Sequence, residues 1–187
     1  MQQQYFDALR ENPIIAAVRS DDDLREALRR DVAMVFVLYG DVCSVTDIAR
    51  KLHEAKKLAL VHLDLVTGLA PREASVEYIR RMTEFDGILT TRPNLVQKAK
   101  ELGLLAVLRV FLIDSASLAT AISARSCHPD AIDILPGLMP SMIRKVARET
   151  GLPVLTGGLI TDKQEILQAL DAGALAISTT DRRVWDM

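Results

Sequence analysis

The sequence lacks several features that mark whole classes of proteins. It has only two cysteines, Cys43 and Cys127, which are too few for a disulfide framework and are not spaced like zinc ligands. No apolar run is long enough to cross a bilayer, and the N-terminus shows no basic segment followed by an apolar core. We therefore expect a cytoplasmic protein with reduced thiols, no signal peptide and no membrane span.

A marked excess of positive charge is absent too. Acidic residues number 25 against 23 lysines and arginines, so the formal net charge is −2, and the isoelectric point is near 5.9. Aromatic residues make up only 4% of the chain. Because RNA binding draws much of its affinity from phosphate contacts, this balance does not favour nucleic-acid binding by the surface as a whole. Any such activity must depend on a local basic cluster.

What the sequence does contain is a repeated alternation of short apolar runs and polar helical patterns over its 187 residues. The predicted strands are residues 14–19, 34–38, 58–65, 87–91, 104–110, 131–135, 154–156 and 175–177. This alternation predicts a parallel sheet covered by helices. Eight such strands can close into a compact (β/α)8 TIM barrel. We expect it to lack a full final helix, because few residues follow the eighth strand, and to form one domain over residues 1–187.

The competing architecture is an open, doubly wound sheet. A dinucleotide-binding sheet of that kind carries G-x-G-x-x-G after its first strand, and no such motif follows residues 14–19. The missing motif favours the barrel.

Several predicted helices begin at residues that cap or start helices well, namely Ser20, Ser44, Asp114, Thr161 or Asp162, and the prolines Pro93 and Pro140.

The last two predicted strands end in small polar residues. Gly157 and Gly158 follow the seventh strand, and Ser178 and Thr179 follow the eighth. Glycines allow the backbone to approach a ligand closely, and hydroxyl groups add hydrogen-bond donors. In TIM barrels the loops after strands seven and eight frequently form a phosphate site. The sequence therefore predicts that these residues bind a phosphate group.

Charged and polar side chains also collect at the ends of the other predicted strands, where TIM barrels carry their function. The candidate ligand-binding residues there are Arg19, His62, Asp64, Arg92, Arg109 and Asp133. Side chains alternate along a strand, so His62 and Asp64 are expected to face the barrel interior near its mouth. The same rule places Val61, Leu63 and Leu65 on the outer face, against helices.

Two alternatives for these charged residues remain open. They could form an internal set of salt bridges without a ligand, such as Arg109 with Asp64 or Arg19 with Asp133. A divalent cation could also be held by His62, Asp64 and Asp133, although this spacing is generic. We favour a site for an organic ligand with no metal and no cofactor.

The distribution of lysines bears on catalysis. A Schiff-base aldolase needs a desolvated lysine at the barrel mouth. All seven lysines fall instead in segments predicted to be helical, namely Lys51, Lys56, Lys57, Lys98, Lys100, Lys145 and Lys163. That mechanism is therefore disfavoured, whereas general acid–base chemistry by His62, Asp64 or Asp133 stays open.

Segments along nearly the whole chain resemble, in the same order, those of the glycerol-3-phosphate-responsive antiterminators, the glycerol uptake operon antiterminator regulatory proteins. The resembling segments are residues 17–19, 38–41, 61–65 with 68–69, 86–91, 109–115, 129–130 with 134–137, 157–160, 172–174 and 178–179. The chain departs from that pattern at Arg92, where a lysine is usual, at Asp133, where a glutamate is usual, and at Thr180, where a serine is usual. The segment 70–72 is also atypical.

The resemblance implies a cytoplasmic bacterial regulator of transcription. Such proteins sense glycerol 3-phosphate and bind the leader mRNA of a glycerol operon, which prevents a terminator hairpin from stopping transcription. It thus implies a sensor without catalytic turnover, with glycerol 3-phosphate as its effector. The alternative is a phosphosugar isomerase, epimerase or lyase on the same barrel, because one fold hosts many functions.

Two further expectations concern macromolecular contacts. Basic clusters occur at residues 80–81, 144–148 and 182–183, and we favour Arg182 and Arg183 as RNA contacts because they directly follow the predicted phosphate segment. A missing final helix would leave apolar surface beside strands seven, eight and one, which predicts a homo-oligomer. Val184, Trp185 and the segment 5–6 would either cover that gap or join a partner.

Overall fold

The chain folds into a closed barrel of parallel strands, as seen in a computed structural model that describes residues 2–186. The strands are β1 (Ile14–Val18), β2 (Met34–Val37), β3 (Leu58–His62), β4 (Gly87–Thr90), β5 (Leu105–Phe111), β6 (Ala131–Leu135), β7 (Val154–Gly157) and β8 (Ala176–Thr179). Each strand pairs with the next in the sequence, and β8 pairs with β1 through Ile15 and Ser178, which closes the barrel. The predicted TIM-barrel architecture is confirmed.

Helices precede the first strand and follow the first seven. They are α1 (Gln2–Glu11), α2 (Asp21–Arg29), α3 (Val45–Glu54), α4 (Glu73–Met82), α5 (Pro93–Glu101), α6 (Ser115–Ser123), α7 (Pro140–Thr150) and α8 (Lys163–Asp171). Three predicted N-caps accept hydrogen bonds from the first turn of their helices, namely Ser20, Asp114 and Asp162. Ser44 differs, because its hydroxyl donates to the Asp41 carboxylate instead of capping α3.

The core has two layers, set by the alternation of side chains along the strands. One layer lies between the strands and the helices and contains residues such as Val61 and Leu63. The other fills the barrel interior and includes Phe36, Leu60 and Leu89. Full burial of one such side chain stabilises the fold by roughly 1.5–3 kcal/mol. The interior layer ends in polar residues toward the C-terminal ends of the strands.

Helix α1 was not predicted, and it closes the N-terminal end of the barrel. Leu9 is fully buried among the interior side chains, and Tyr5 and Phe6 pack partly against the same cluster. The spacing of Phe6 and Leu9 fits one face of a helix, which is the signal that could have identified this element. Because this end of the barrel is plugged by α1, the opposite end is the open one.

A tight turn over residues 182–186 follows β8 in place of an eighth barrel helix, as expected. Val184 and Trp185 are both buried in the outer layer, and the Trp185 indole Nε1 donates to the Thr179 carbonyl oxygen at 2.9 Å. The chain thus covers its own gap. The apolar gap offered as the reason for a homo-oligomer is therefore closed by the tail, and the oligomeric state itself stays a prediction.

None of the helices within residues 2–186 combines the length and the apolar character needed to cross a membrane.

Candidate functional site

A cavity of about 340 Å³ opens at the barrel mouth, beside the ends of β7 and β8. Its walls are the segments 158–161 and 178–181, together with Ala17, Leu38, Arg109 and Leu135. This volume lies at the lower end of the range for small-molecule sites, so it suits a small metabolite. The predicted phosphate residues Gly158, Ser178 and Thr179 all line it.

A larger depression, of about 570 Å³, lies at the opposite end of the barrel between Phe6 on α1 and Pro153 before β7. TIM barrels place their chemistry at the C-terminal ends of the strands. The charged interior side chains of this protein also lie toward that end. We therefore assign the candidate site to the smaller cavity at the mouth.

The loop after β7 depends on its two glycines for different reasons. Gly157 packs so closely on β8 that an added Cβ atom would overlap the Ser178 hydroxyl and carbonyl oxygens. Gly158 and Leu159 follow with φ angles of 71° and 65°, in the left-handed region that favours glycine. These consecutive left-handed residues turn the backbone sharply at the edge of the cavity.

That turn leaves backbone N–H groups available at the cavity wall. Among the described residues, the N–H groups of Gly158, Leu159, Ile160 and Thr180 donate to no acceptor. The Ser178 hydroxyl, on a buried side chain, likewise forms no hydrogen bond with a described residue. Free N–H groups clustered at a turn form an anion-binding concavity. This wall can therefore bind a phosphate group.

Arg109 is the cavity's one lining cation within the part of the chain described here. It lies in β5 directly opposite Asp133 in β6, and its Nε donates to Asp133 Oδ2 at 2.7 Å. Both side chains are buried, with 6% and 0% of their surface exposed. The Arg109 Nη atoms make no hydrogen bond with a described residue and are not fully buried, so they remain available to a ligand.

His62 belongs to the same buried polar group. Burial, reinforced by the positive charge of Arg109, lowers the pKa of His62 to about 4, so the imidazole is neutral at pH 7. Two buried atoms of this group lack a hydrogen-bond partner among residues 2–186, namely His62 Nδ1 and Asp133 Oδ1. Such atoms are costly unless a ligand or water satisfies them.

Asp64 has a different role from the one that strand periodicity predicts. Strand β3 ends at His62, and residues 63–65 form a short 3-10 turn. The Asp64 carboxylate accepts from the Thr90 hydroxyl at 2.7 Å and from the Thr91 N–H and hydroxyl at 2.8 Å. Burial alone would raise the pKa of Asp64, but these hydrogen bonds lower it below the ordinary value.

The same turn explains the behaviour of Leu65. The prediction that Leu65 packs under helices is wrong, because 50% of its side chain is exposed once the strand has ended.

The internal salt bridges form between other residues than the pairs given as examples in the sequence analysis. Arg109 pairs with Asp133, whereas Asp64 is held by two threonines and Arg19 does not reach Asp133.

Arg19 and Arg92 both lie at the mouth but outside the cavity wall. Both side chains are exposed, and neither guanidinium forms an ion pair with a described residue. The Arg19 backbone N–H donates to Asp23 Oδ2 at 2.9 Å, and the Arg92 backbone N–H donates to Thr90 Oγ1 at 3.2 Å. Their contact with a ligand stays a prediction that depends on movement of long side chains.

The two tail arginines are both paired with carboxylates. Arg182 donates through Nε and Nη2 to Asp23 Oδ1 at 2.8 and 2.5 Å. Arg183 donates through Nε and Nη2 to the Asp181 carboxylate, the shortest distance being 2.6 Å.

Asp181 lines the cavity, although it was not among the site residues predicted from the sequence. Its position directly after the predicted phosphate segment was the available signal.

The divalent-cation alternative would need His62, Asp64 and Asp133 to come together. Within residues 2–186, no three histidine, cysteine or acidic side chains come together as a set that could hold a metal ion. His62, Asp64 and Asp133 contribute to one polar region, but Asp64 is directed to β4 by its threonine partners.

Comparison with protein families adds a sequence relationship to this geometry. The family model described as glycerol-3-phosphate responsive antiterminator matches residues 14–185 of the chain. A curated relative from Escherichia coli (strain K12), the uncharacterized protein YgcP, is 34% identical over 180 residues, which cover 96% of this chain and 94% of that protein.

Two solved structures are similar over nearly the whole chain. The glycerol uptake operon antiterminator regulatory protein from Listeria monocytogenes str. 4b F2365 has 30% identity and a TM-score of 0.90, covering 93% of this chain and 95% of that one. A glycerol uptake operon antiterminator-related protein from Thermotoga maritima MSB8 has 31% identity and a TM-score of 0.82, covering 93% and 98% of the two chains.

Proposed function

The chain belongs to the glycerol-3-phosphate responsive antiterminator family, and from this premise we propose that it senses glycerol 3-phosphate at the barrel mouth and binds a leader mRNA in response. In this proposal the protein acts in the cytoplasm, where nascent transcripts are accessible to it. Binding of the leader mRNA prevents a terminator hairpin from forming. The observation that carries the proposal is the cavity wall of free backbone N–H groups beside Arg109.

The phosphate of the effector occupies the wall formed by the loops after β7 and β8. Backbone N–H groups of Gly158 and its neighbours, with the Ser178 and Thr179 hydroxyls, surround it. Arg109 supplies positive charge through its free Nη atoms, with Arg19 and Arg92 as further candidates from the rim. Charge-assisted hydrogen bonds of this kind stabilise a complex by roughly 1.5–3 kcal/mol each.

The glycerol hydroxyls fill the polar interior beside Arg109. Asp133 Oδ1 and His62 Nδ1 lack partners in the described chain, and both can accept a hydrogen bond from a hydroxyl group when the imidazole is neutral. Asp64, which borders this region, is the third candidate acceptor. A diol end bound here would satisfy atoms that are otherwise buried without a hydrogen bond.

Catalysis by this site has weaker support. A general base works best with a pKa near the operating pH, whereas the pKa values of His62 and Asp64 are both lowered. A carboxylate that already accepts three hydrogen bonds is a poor proton acceptor. We therefore propose a sensor without turnover and without a cofactor or metal.

Thermal unfolding tests the effector. We expect glycerol 3-phosphate to raise the melting temperature more than glycerol or inorganic phosphate does, because only glycerol 3-phosphate fills both halves of the site. At about 100 times its dissociation constant, the ligand should stabilise the fold by roughly 2.7 kcal/mol. A shift no larger than that with inorganic phosphate would contradict the proposal.

A gel-shift assay on the leader RNA of the chain's own operon tests the second half. We expect the complex to need glycerol 3-phosphate. Arg182 and Arg183 are the proposed RNA contacts, and their carboxylate partners Asp23 and Asp181 would have to yield to RNA phosphates. Equal RNA binding with and without the effector would refute the coupling.

A further inference from the structure

The anion site has a carboxylate in its wall. Among the residues that form the cavity, Asp181 is the acidic one, and it lies beside the free N–H groups and the Ser178 hydroxyl. A negative charge next to an anion site disfavours the anion. A cation that reaches both Asp181 and the anion would offset this repulsion.

Arg183 is the group in a position to change. Its guanidinium holds the Asp181 carboxylate through two nitrogens, with Nη2 at 2.6 Å from Oδ2. This hydrogen bonding lowers the pKa of Asp181 to about 2, so the carboxylate stays charged. The Arg183 side chain is 79% exposed, whereas that of Asp181 is 21% exposed. The guanidinium can move without breaking any packing.

The backbone around this pair is fixed. The Asp181 N–H donates to Thr179 Oγ1 at 3.1 Å, and the Val184 N–H donates to the Asp181 carbonyl at 3.0 Å. The buried Trp185 indole binds the Thr179 carbonyl, and Arg182 binds Asp23. The backbone of this turn is therefore held in place, while the exposed Arg183 guanidinium at the rim of the site is free to change its position.

Resting on the proposed function, we infer that Arg183 is a ligand-binding residue that exchanges partners, leaving Asp181 for the phosphate when the effector binds. Asp181 thereby sets the affinity of the site, because it competes with the phosphate for the same guanidinium and repels the anion. A guanidinium has five N–H donors, so the edge not bound to the ligand remains free for an RNA phosphate. The exchange links effector binding directly to the RNA-binding tail.

Titration calorimetry with glycerol 3-phosphate and with inorganic phosphate tests the exchange. We expect Asp181→Asn to tighten binding of both anions about tenfold and Arg183→Gln to weaken it about tenfold. The exposed Asp7–Arg10 pair on α1, at the other end of the barrel, is the matched control. Asp7→Asn and Arg10→Gln should leave both affinities within twofold.

The double variant separates exchange from a general charge effect. If Arg183 must leave Asp181, the loss caused by Arg183→Gln is larger in the Asp181→Asn background than in the wild type. Strictly additive effects, or wild-type affinities in both single variants, overturn the inference while the proposed function stands. If neither anion binds the wild type but inorganic phosphate binds Asp181→Asn, the proposed effector is refuted. The exchange then stands only if Arg183→Gln weakens phosphate binding in the Asp181→Asn background. If no variant binds either anion, both are refuted.

Discussion

Replacing Asp133 by asparagine tests the interior of the site most directly. The change keeps the size of the side chain and removes the negative charge that lies 2.7 Å from Arg109 Nε. Breaking a buried ion pair at one partner costs about 3–5 kcal/mol. Two features reduce that cost here: the Arg109 Nη atoms are not fully buried, and Asp133 Oδ1 already lacks a described partner. An unsatisfied buried group costs about 1–3 kcal/mol.

We therefore expect Asp133→Asn to lower the free energy of unfolding by about 2–3 kcal/mol. For a chain of this size, that corresponds to a fall of roughly 5–10 °C in melting temperature. Urea denaturation followed by the fluorescence of Trp185, the one tryptophan in the chain, measures it. The buried position of Trp185 makes it a sensitive reporter.

The ligand response gives the prediction a second, independent part. Without Asp133, the positive charge of Arg109 is uncompensated, so inorganic phosphate should stabilise the variant more than it stabilises the wild type. The double variant Arg109→Met with Asp133→Leu carries neither charge, and it should be more stable than Asp133→Asn and lose phosphate protection. A loss of stability under 0.5 kcal/mol, or equal phosphate protection in variant and wild type, would refute this account of the pair.

Three other predictions follow from the same geometry. His62 has a pKa of about 4 in the folded chain and about 6.5 in the unfolded chain. The free energy of unfolding should therefore fall by about 2 kcal/mol between pH 7 and pH 5, because the unfolded chain takes up the proton. Urea midpoints for the wild type and His62→Gln at the two pH values measure the difference. Gly157→Ala places a Cβ atom against β8 and should cost about 1–3 kcal/mol and abolish phosphate protection. Gly103→Ala has open space around it but a left-handed φ of 74°, so it should lower stability and still retain that protection in thermal unfolding. The double variant Arg182→Ala with Arg183→Ala should weaken leader RNA binding and flatten its salt dependence in gel shifts at saturating glycerol 3-phosphate; unchanged RNA affinity would move the RNA surface elsewhere.

The barrel could be predicted from the sequence because its signals are local and repeated. Each buried parallel strand is a short apolar run, and helix starts such as Asp114 carry their own capping chemistry. Predicted strand limits fall within a few residues of those observed. Helix α1 was not predicted because its apolar residues, such as Phe6 and Leu9, are few and lie in a polar segment. Their burial depends on the N-terminal end of the barrel interior, which they cover.

The site was predictable in part, and the division has a physical cause. Period-two alternation places His62, Arg109 and Asp133 in the interior as long as the strand continues, and all three are buried there. The rule fails at the second residue after β3 ends, where Asp64 binds Thr90 and Thr91 at the end of β4 instead of joining Arg109.

The alternation of side chains does not predict which charged residues pair with each other, because pairing across the barrel depends on strand register and on the path of the loops. Asp133 meets Arg109 because β5 and β6 pair in that register. Asp23 meets Arg182 across 159 residues of sequence only because β8 closes onto β1. The Arg182–Asp23 pair is therefore a product of barrel closure, whereas Arg183 and Asp181 pair locally within the turn. A change that leaves every local signal intact but alters that closure would be expected to separate Arg182 from Asp23.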